Sequence, residues 1–290
     1  MSGCECEERQ CCLSEVFRKR AELLLHTGNI NNWPPLKMQN FSNSAEELLQ
    51  CIQLQLETWQ PTQNDLRNTE KVLLCVHKDC ALSLGKDRMD LKITVKIFMT
   101  KLDPAQVEQC LNCVMEELST YFVEQLIVSF PEIDELDNAD EATEVKEWLR
   151  LIQPIWTKVE DLVEEKKVDV VGAADLDEAH LRALYEWAPR HKPTIDHFNI
   201  IGCCTVPPEL QAYARSNEIQ LLTHNDPTPF PGDRQFHELC VNKLGLAPDC
   251  CMQWDTAWCA RYTVMILSRS VLNAKGYVMK FEQNHTANCA

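Results

Sequence analysis

The chain has 290 residues, of which 45% are hydrophobic and 25% are charged, and its formal net charge is −16. This composition is ordinary for a globular protein, and the length allows a full hydrophobic core. The acidic excess disfavours binding to nucleic acid or to an anionic membrane, and no apolar run approaches the length of a membrane span.

Sixteen cysteines are a high count for a chain of this length. The first ten residues, MSGCECEERQ, lack the apolar core of a secretory signal, so we expect a reducing, cytoplasmic location in which the cysteines are thiols. The polar, acidic segment 1–13 is predicted to be a disordered, cysteine-rich tail. Its four cysteines lack a second pair at zinc-ribbon spacing, which favours a disordered tail over a soft-metal site.

Acidic residues concentrate between Glu132 and Glu165, where twelve of them accompany three basic residues. Solvated loop and helix faces are the simpler explanation of this stretch. The alternative is a surface that steers a basic partner towards the protein.

The N-terminal part of the chain is predicted to be helical. Residues 14–26 carry apolar side chains near helical spacing, and a turn-rich connector follows at 28–35. Residues 44–59 are predicted to form a second amphipathic helix, with Ser44 as its cap and residues such as Leu48 and Ile52 on its apolar face.

From residue 72 onward, predicted strands and helices alternate. Segment 91–98 alternates cleanly, with four apolar residues on one face and Lys96 on the other. Asp103 is expected to cap a helix that starts at Pro104 and ends near residue 117. The other predicted strands are 72–76, 125–129, 168–171, 197–201, 219–222 and 262–267, and the other predicted helices are 141–165 (interrupted near Pro154), 177–187, 207–215 and 236–243.

This alternation of short apolar strands with helices argues for parallel α/β structure. Roughly eight such units fit a closed TIM-type (β/α)8 barrel better than an open sheet. We expect the barrel to span residues 14–280, with a C-terminal tail at 281–290. The chain has neither G-x-G-x-x-G nor G-x-x-x-x-G-K-[ST], which argues against a Rossmann or P-loop domain.

Four segments after Lys96 resemble the aldo-keto reductase superfamily. They are IVSFP at 127–131, the stretch 156–172, the pair at 192–193, and ILSRS at 266–270. In that superfamily the first segment carries the catalytic histidine, and the last holds the phosphate of the cofactor. The resemblance implies an aldo-keto reductase-like barrel.

A closer resemblance, over about residues 21–280, is to the regulatory (modifier) subunits of glutamate–cysteine ligase, a family with a barrel of the same superfamily. The most specific segment is IQLLTHNDP at 219–227. The other shared segments are TGNINNW at 27–33, EELLQCIQ at 46–53, VGAADLD at 171–177, LYEWA at 184–188, the two cysteines before PPEL at 207–210, and KGY at 275–277.

Aldo-keto reductase chemistry needs a tyrosine as proton donor, a lysine that lowers the pKa of that tyrosine, and an aspartate and a histidine that position the pair. Lys96 matches the lysine because it lies late on its strand. No tyrosine precedes Lys96, since the first in the chain is Tyr121, and the histidine position falls on Ser129. We therefore predict that Lys96 is vestigial and forms a salt bridge in the barrel mouth, and that the protein has no catalytic residues.

The cofactor contacts implied by the resemblance are also altered. Only Arg269 and Ser270 remain as weak candidates to hold a phosphate, so we expect no cofactor. The positions that contact nicotinamide in the superfamily now hold Ala174, Asp175, Asp196, His197 and His224.

Three further motifs have ordinary structural explanations. Asp175 or Asp177 is expected to cap the helix that follows. The segment 224–226, His-Asn-Asp, has the residues of a catalytic couple but no nearby nucleophile, so we predict a loop hydrogen-bond network. Cys110-x-x-Cys113 lies within a predicted helix rather than at its N-terminus, which favours packing over redox chemistry.

The family resemblance implies a non-catalytic protein that binds the catalytic subunit of the ligase in a heterodimer. It implies better use of glutamate and weaker feedback inhibition by glutathione. It also implies an intersubunit disulfide, for which Cys203 and Cys204, at a strand end, and Cys259, in a loop-rich stretch, are the candidates; buried strand-end thiols are the alternative. The alternative functions are an NADPH-dependent aldo-keto reductase and a thiol-rich redox or metal module.

Overall fold

The computed structural model describes residues 21–59, 66–67, 72–76, 84, 88–133, 136, 140–202 and 205–283. The predicted tail at 1–13 and the first part of the predicted helix at 14–26 lie outside the described residues. Cys203 and Cys204, two of the three disulfide candidates, also lie outside them.

Strands and helices alternate through the middle of the chain. The strands are β1 (Glu22–His26), β2 (Leu66–Arg67), β3 (Val72–Val76), β4 (Leu91–Met99), β5 (Val123–Ser129), β6 (Val168–Ala174), β7 (Ile195–Asn199), β8 (Gln220–His224), β9 (Trp254–Ile266) and β10 (Val271–Gln283). The helices are α1 (Pro34–Lys37), α2 (Ser44–Thr58), α3 (Pro104–Glu117), α4 (Glu141–Glu164), α5 (Glu178–Trp187), α6 (Pro208–Ser216), α7 (Asp233–Asn242) and α8 (Pro248–Cys251), with short 3-10 turns at Ile30–Asn32 and Arg88–Asp90.

The strands form one mixed sheet in the order β2-β3-β1-β10-β9-β4-β5-β6-β7-β8. Strands β4 to β8 are parallel neighbours, and helices α3 to α6 connect them in turn. The long hairpin β9–β10 pairs antiparallel with β4 on one side and with β1 on the other. The predicted α/β class is confirmed.

The sheet does not close into the predicted barrel. Among the described residues no ladder joins β8 to β2 or β3, because the chain after β8 forms α7, α8 and the β9–β10 hairpin, and β9 pairs with β4. The sheet is nevertheless strongly curled. Four strand spacings would separate β4 from β8 by roughly 19 Å in a flat sheet, yet Lys96 Nζ on β4 lies 3.1 Å from His224 Nε2 on β8.

The predicted alternation of β4 is confirmed. Leu91, Ile93, Val95 and Ile97 are buried in the core that α3 to α6 form on the outer face of the sheet. Helix α3 begins at Pro104 as predicted, and the Asp103 side chain accepts a hydrogen bond from the Ala105 amide at 2.9 Å. A second core lies around β1, β10, α2 and α7.

The N-terminal prediction was wrong at residues 22–26, which form β1 rather than a helix. Leu23 and Leu25 alternate with less buried neighbours, and β1 pairs with both β3 and β10. Helix α2 has Asn43 as its cap, with hydrogen bonds from the amides of Ala45 and Glu46, instead of Ser44. Helix α4 continues through Pro154 without the predicted interruption.

Strand β10 was missed, and it extends to Gln283, so that it includes the first three residues of the predicted C-terminal tail at 281–290. Its alternation is weak in the sequence because Val278, Met279 and Phe281 are all buried, on both faces of the sheet. In the described part of the chain, no helix is long and apolar enough to cross a membrane.

Candidate functional site

Polar residues meet at the carboxyl-terminal edge of the parallel strands. Lys96 lies on β4, Ser129 ends β5, Asp175 follows β6, and His224 ends β8, with Asp226 two residues later. This edge is where barrel-like α/β proteins place their sites. The curl of the sheet brings together residues that sequence reasoning had treated one at a time.

Asp226 is the centre of this cluster and is almost fully buried. Its Oδ2 lies 3.0 Å from Lys96 Nζ and 2.9 Å from Arg261 Nη2, and its Oδ1 lies 2.5 Å from Arg261 Nη1. Ser44, the first residue of α2, donates a hydrogen bond to Oδ1 as well. The carboxylate therefore ties together β4, β9, α2 and the segment after β8.

The charges of the cluster depend on one another. Burial would raise the pKa of Asp226, but hydrogen bonds from His224 and Arg261, with the charges of Arg261 and Lys96, hold that pKa far below its usual range. Burial lowers the pKa of Lys96, and the charges of Asp226 and Asp175 oppose the shift. The predicted salt bridge of Lys96 is thus observed, in a geometry that stabilises the ionised carboxylate.

Asp175 and His224 extend the network towards Ser129. His224 Nε2 lies 2.8 Å from Asp175 Oδ1, and Ser129 Oγ donates to Asp175 Oδ2 at 3.0 Å. Asp175 has a φ of 65°, in the left-handed region, which turns its side chain towards these partners. Burial lowers the pKa of His224, but hydrogen bonds to Asp175 and Asp226 more than offset it, so the net pKa is raised.

Two of the sequence interpretations are settled by these contacts. The segment 224–226 forms the predicted hydrogen-bond network, because His224 Nδ1 lies 3.1 Å from Asp226 Oδ2 and Asn199 donates to the Asp226 carbonyl at 2.8 Å. Asp177, not Asp175, caps the helix: its side chain accepts from the His180 amide at 2.9 Å.

Sequence reasoning missed Arg261. This arginine is a single cation within the apolar segment WCARYTV of β9, and a charge in such a run is the signal that predicts a buried ion pair. It also missed Ser44 as a partner of Asp226, because the two residues are 182 positions apart.

No tyrosine accompanies Lys96. In the described structure Lys96 donates a hydrogen bond to Asp226 Oδ2, and Tyr277, a fully buried tyrosine of β10, donates to Glu47 Oε1 at 2.7 Å instead. Burial raises the pKa of Tyr277 well above its usual value, which opposes proton release. Among the described residues, the arrangement joins β4, β9, α2 and the segment after β8 through ion pairs and hydrogen bonds.

Asp196 and His197 lie beside this network on β7. Asp196 is fully buried, and neither carboxyl oxygen makes a hydrogen bond. Burial and the charge of Asp175 raise the pKa of Asp196 to about 8, and the nearby Leu176 amide offsets only part of this. Burial and the charge of Lys96 lower the pKa of His197 to about 3. Both side chains are therefore mostly neutral at pH 7.

The substitution Asp196→Asn is expected to stabilise the protein at alkaline pH. Because the folded-state pKa is raised from 3.8 to about 8, the contribution of Asp196 to stability is largest below the unfolded pKa and falls steadily as pH rises from there to the folded pKa. The gain of the variant over wild type should grow between pH 5 and pH 8, to about 1–3 kcal/mol. Urea unfolding at both pH values measures it.

An equal gain at pH 5 and pH 8 would contradict this prediction. The matched control is Asp103→Asn at the exposed cap of α3, where asparagine caps as well as aspartate. Its difference from wild type should be small at both pH values.

Arg269 and Ser270 do not lie near this site. They form the exposed turn between β9 and β10. The neighbouring Leu267 amide bonds the Asp90 carbonyl just before β4 at 2.8 Å. The turn is thus at the amino-terminal edge of the parallel strands, opposite Lys96. Arg269 and Ser270, the weak candidates for holding a phosphate, are brought to this edge because β9 runs antiparallel to β4.

Cys259 is not in a loop. It lies within β9, paired with Phe98 of β4 and Met279 of β10, and is fully buried. Burial raises the pKa of its thiol beyond the usual range, so it is poorly placed to meet a thiol of another protein. The described free thiols are those of Cys51, Cys75, Cys110, Cys113, Cys240, Cys251 and Cys259.

A cavity of about 250 Å³ opens beside the cluster. Phe98, Phe130 and Phe230 line it, together with several prolines. Its lining also contains four carboxylates, from Glu132, Asp175, Asp226 and Asp233, and no lysine or arginine among the described residues. Two of these carboxylates are already paired within the protein, Asp226 with Lys96 and Arg261, and Asp175 with His224. No group of His, Cys, Asp and Glu side chains in the described part of the chain could hold a metal ion.

Comparison with solved structures gives partial overlaps with aldo-keto reductases. An aldo-keto reductase complexed with NADPH has a TM-score of 0.33 and 13% identity, over 61% of this chain and 44% of the other. The aldose reductase from Schistosoma japonicum has a TM-score of 0.32 and 16% identity, over 43% and 42%. No family model matches the chain.

Curated relatives match along most of the chain. The glutamate–cysteine ligase regulatory subunit of Homo sapiens is 32% identical over 270 residues, which is 91% of this chain and 94% of the relative. That of Rattus norvegicus is 31% identical over the same shares. A putative glutamate–cysteine ligase regulatory subunit of Schizosaccharomyces pombe is 24% identical over 91% and 98%. The chain belongs to the family of glutamate–cysteine ligase regulatory subunits.

Proposed function

We propose that this protein is a non-catalytic regulatory subunit of glutamate–cysteine ligase, which binds the catalytic subunit and acts in glutathione synthesis. Family membership supports the partner. The observation that carries the non-catalytic role is the state of Lys96: its ammonium is buried against Asp226 at 3.0 Å, and no tyrosine hydroxyl bonds to it in the described structure.

The remaining contacts of the site support the same conclusion. Ser129, at the position where the sequence resemblance to reductases implies a histidine, donates a hydrogen bond to Asp175. Among the described residues that line the cavity beside it, there is no lysine or arginine to pair with the phosphates of NADPH. An NADPH-dependent reductase would need both the acid and the anion site.

Regulation by such a partner is a coupling free energy between two binding events. The protein would prefer the conformation of the catalytic subunit that binds glutamate well and glutathione weakly. We propose a cytoplasmic heterodimer, which a disulfide through Cys203 or Cys204 reinforces. Cys259 is a weaker candidate because it is fully buried.

The test mixes the purified protein with the catalytic subunit and measures ligase activity at limiting glutamate. We expect the apparent KM for glutamate to fall and the inhibition constant for glutathione to rise, each by about 5- to 150-fold. The absence of a complex at micromolar concentrations, with the protein folded, would contradict the proposal.

A second measurement separates the reductase alternative. NADPH titration followed by fluorescence quenching, together with turnover of a model aldehyde, should show neither binding nor reaction. Tight binding with turnover would replace the regulatory function by a catalytic one.

A further inference from the structure

Several large apolar side chains are exposed at the amino-terminal edge of the parallel strands. We call five of them the amino-terminal patch: Met89 (80% exposed), Tyr121 (91%), Leu267 (53%), Val271 (51%) and Leu272 (43%). This edge is opposite the Lys96 cluster. In barrel-like folds it normally serves stability rather than chemistry.

Hydrogen bonds place these residues beside one another. The Leu267 amide bonds the Asp90 carbonyl at 2.8 Å, next to Met89. The Arg88 guanidinium donates to the Phe122 carbonyl at 2.8 Å and to Thr120 Oγ1 at 3.0 Å, on either side of Tyr121. Val271 and Leu272 begin β10, where Val271 pairs with Ile266.

The fold itself does not require these apolar side chains. Residues 271–273 are exposed because β1 pairs with β10 only between Val278 and Glu282. When the first residues of a strand lack a neighbouring strand on one side, as here, they are normally polar or charged, which discourages association. An apolar cluster there is typical of a protein interface.

One cation stands within this patch. Arg269 is exposed at the tip of the β9–β10 turn and makes no ion pair among the described residues, whereas nearby Arg88 pairs with Glu124 at 2.7 Å and Lys167 with Glu165 at 2.7 Å. An exposed cation in the same turn as Leu267 and Val271 suits a partner carboxylate, because charge complementarity fixes the register of an apolar contact.

We propose that the amino-terminal patch is the surface that binds the catalytic subunit, through an apolar region of that subunit with an acidic residue opposite Arg269. This inference rests on the proposed function and specifies which surface of the protein contacts the catalytic subunit. It places the non-covalent contact on the edge away from the Lys96 cluster and its cavity.

The test measures the Kd of the full-length protein for the purified catalytic subunit by biolayer interferometry. Leu267→Asp and Val271→Asp should each weaken binding about tenfold or more, since both bury a charge in an apolar contact. Arg269→Glu should weaken binding by a similar factor through repulsion. Thermal unfolding of each variant, which should match wild type, shows that the change is not a loss of folding.

Two control substitutions use the same chemistry elsewhere. Met38→Asp, at a side chain that is 90% exposed outside the patch, should leave Kd unchanged. Ile201→Asp, 55% exposed near the carboxyl-terminal edge, tests the rival face. Wild-type Kd for all patch variants, with weaker binding by Ile201→Asp, would overturn the patch and leave the proposed function standing.

Two further outcomes would have different consequences for the proposed function and for the amino-terminal patch. If wild type does not bind the catalytic subunit at all, the proposed function and the patch both fail. If wild type is a dimer by light scattering, and Leu267→Asp makes it monomeric without changing Kd for the catalytic subunit, the patch binds a second copy and the proposal is overturned.

Discussion

Asp226→Asn is expected to lower the free energy of unfolding by about 3–5 kcal/mol. The asparagine keeps the shape of the side chain but removes the charge that faces Lys96 and Arg261. Their side chains are only 3% and 13% exposed, so two cations would remain buried without a counter-ion. Urea unfolding at neutral pH measures the loss.

The double variant Asp226→Asn/Lys96→Met identifies the cause. Removing one of the two unpaired cations should recover about 1–2 kcal/mol of the loss. The control is Glu238→Gln, which breaks an exposed ion pair with Arg234 on one face of α7 and should change stability by less than about 0.5 kcal/mol. A loss below about 1 kcal/mol for Asp226→Asn would show that solvent reaches the cluster.

Gly276→Ala is expected to destabilise the protein by roughly 3 kcal/mol. Gly276 of β10 pairs directly with Tyr262 of β9. A Cβ at this position would lie 2.2 Å from the Gly28 carbonyl oxygen and 2.3 Å from the Tyr262 hydroxyl. The first atom belongs to the backbone and the ring is fully buried, so neither gives way without moving a strand.

Gly232→Ala is the matched control for this substitution. Gly232 has a φ of −75°, and the nearest atom to an added Cβ there is Gln235 Oε1 at 3.6 Å. Its effect should stay within about 0.5 kcal/mol. Equal stability of the two variants in thermal unfolding would mean that β9 and β10 separate at Gly276 at little cost.

Local sequence signals predicted the elements in the middle of the chain. The Asp103-Pro104 start of α3 and the Asp177 cap of α5 were confirmed, since capping depends on residues within one helical turn. The same signals failed at residues 22–26 and 271–283. These strands depend on pairing with distant segments, and the local pattern of β10 is weak because Val278, Met279 and Phe281 are buried on both faces of the sheet.

Some features of the candidate site are visible in the sequence, and others require the fold. The absence of a tyrosine before Lys96 and the serine at position 129 are facts of the sequence, and they already argued against reductase chemistry. The partners of Lys96 required the fold, because Asp226 lies 130 residues away in the chain and Arg261 a further 35. No local pattern reports such contacts.

The sequence by itself determined the α/β class, the family and the absence of a tyrosine before Lys96, because periodicity, caps and motifs are properties of short segments. Only the tertiary structure decided that the sheet stays open, that Arg269 lies at the edge opposite Lys96, and that Cys259 is buried. These depend on β9 pairing antiparallel with β4 rather than a further parallel strand pairing with β8. Strand pairing depends on segments that are distant in the chain, and the hydrophobic pattern of one strand does not determine which strand pairs with it.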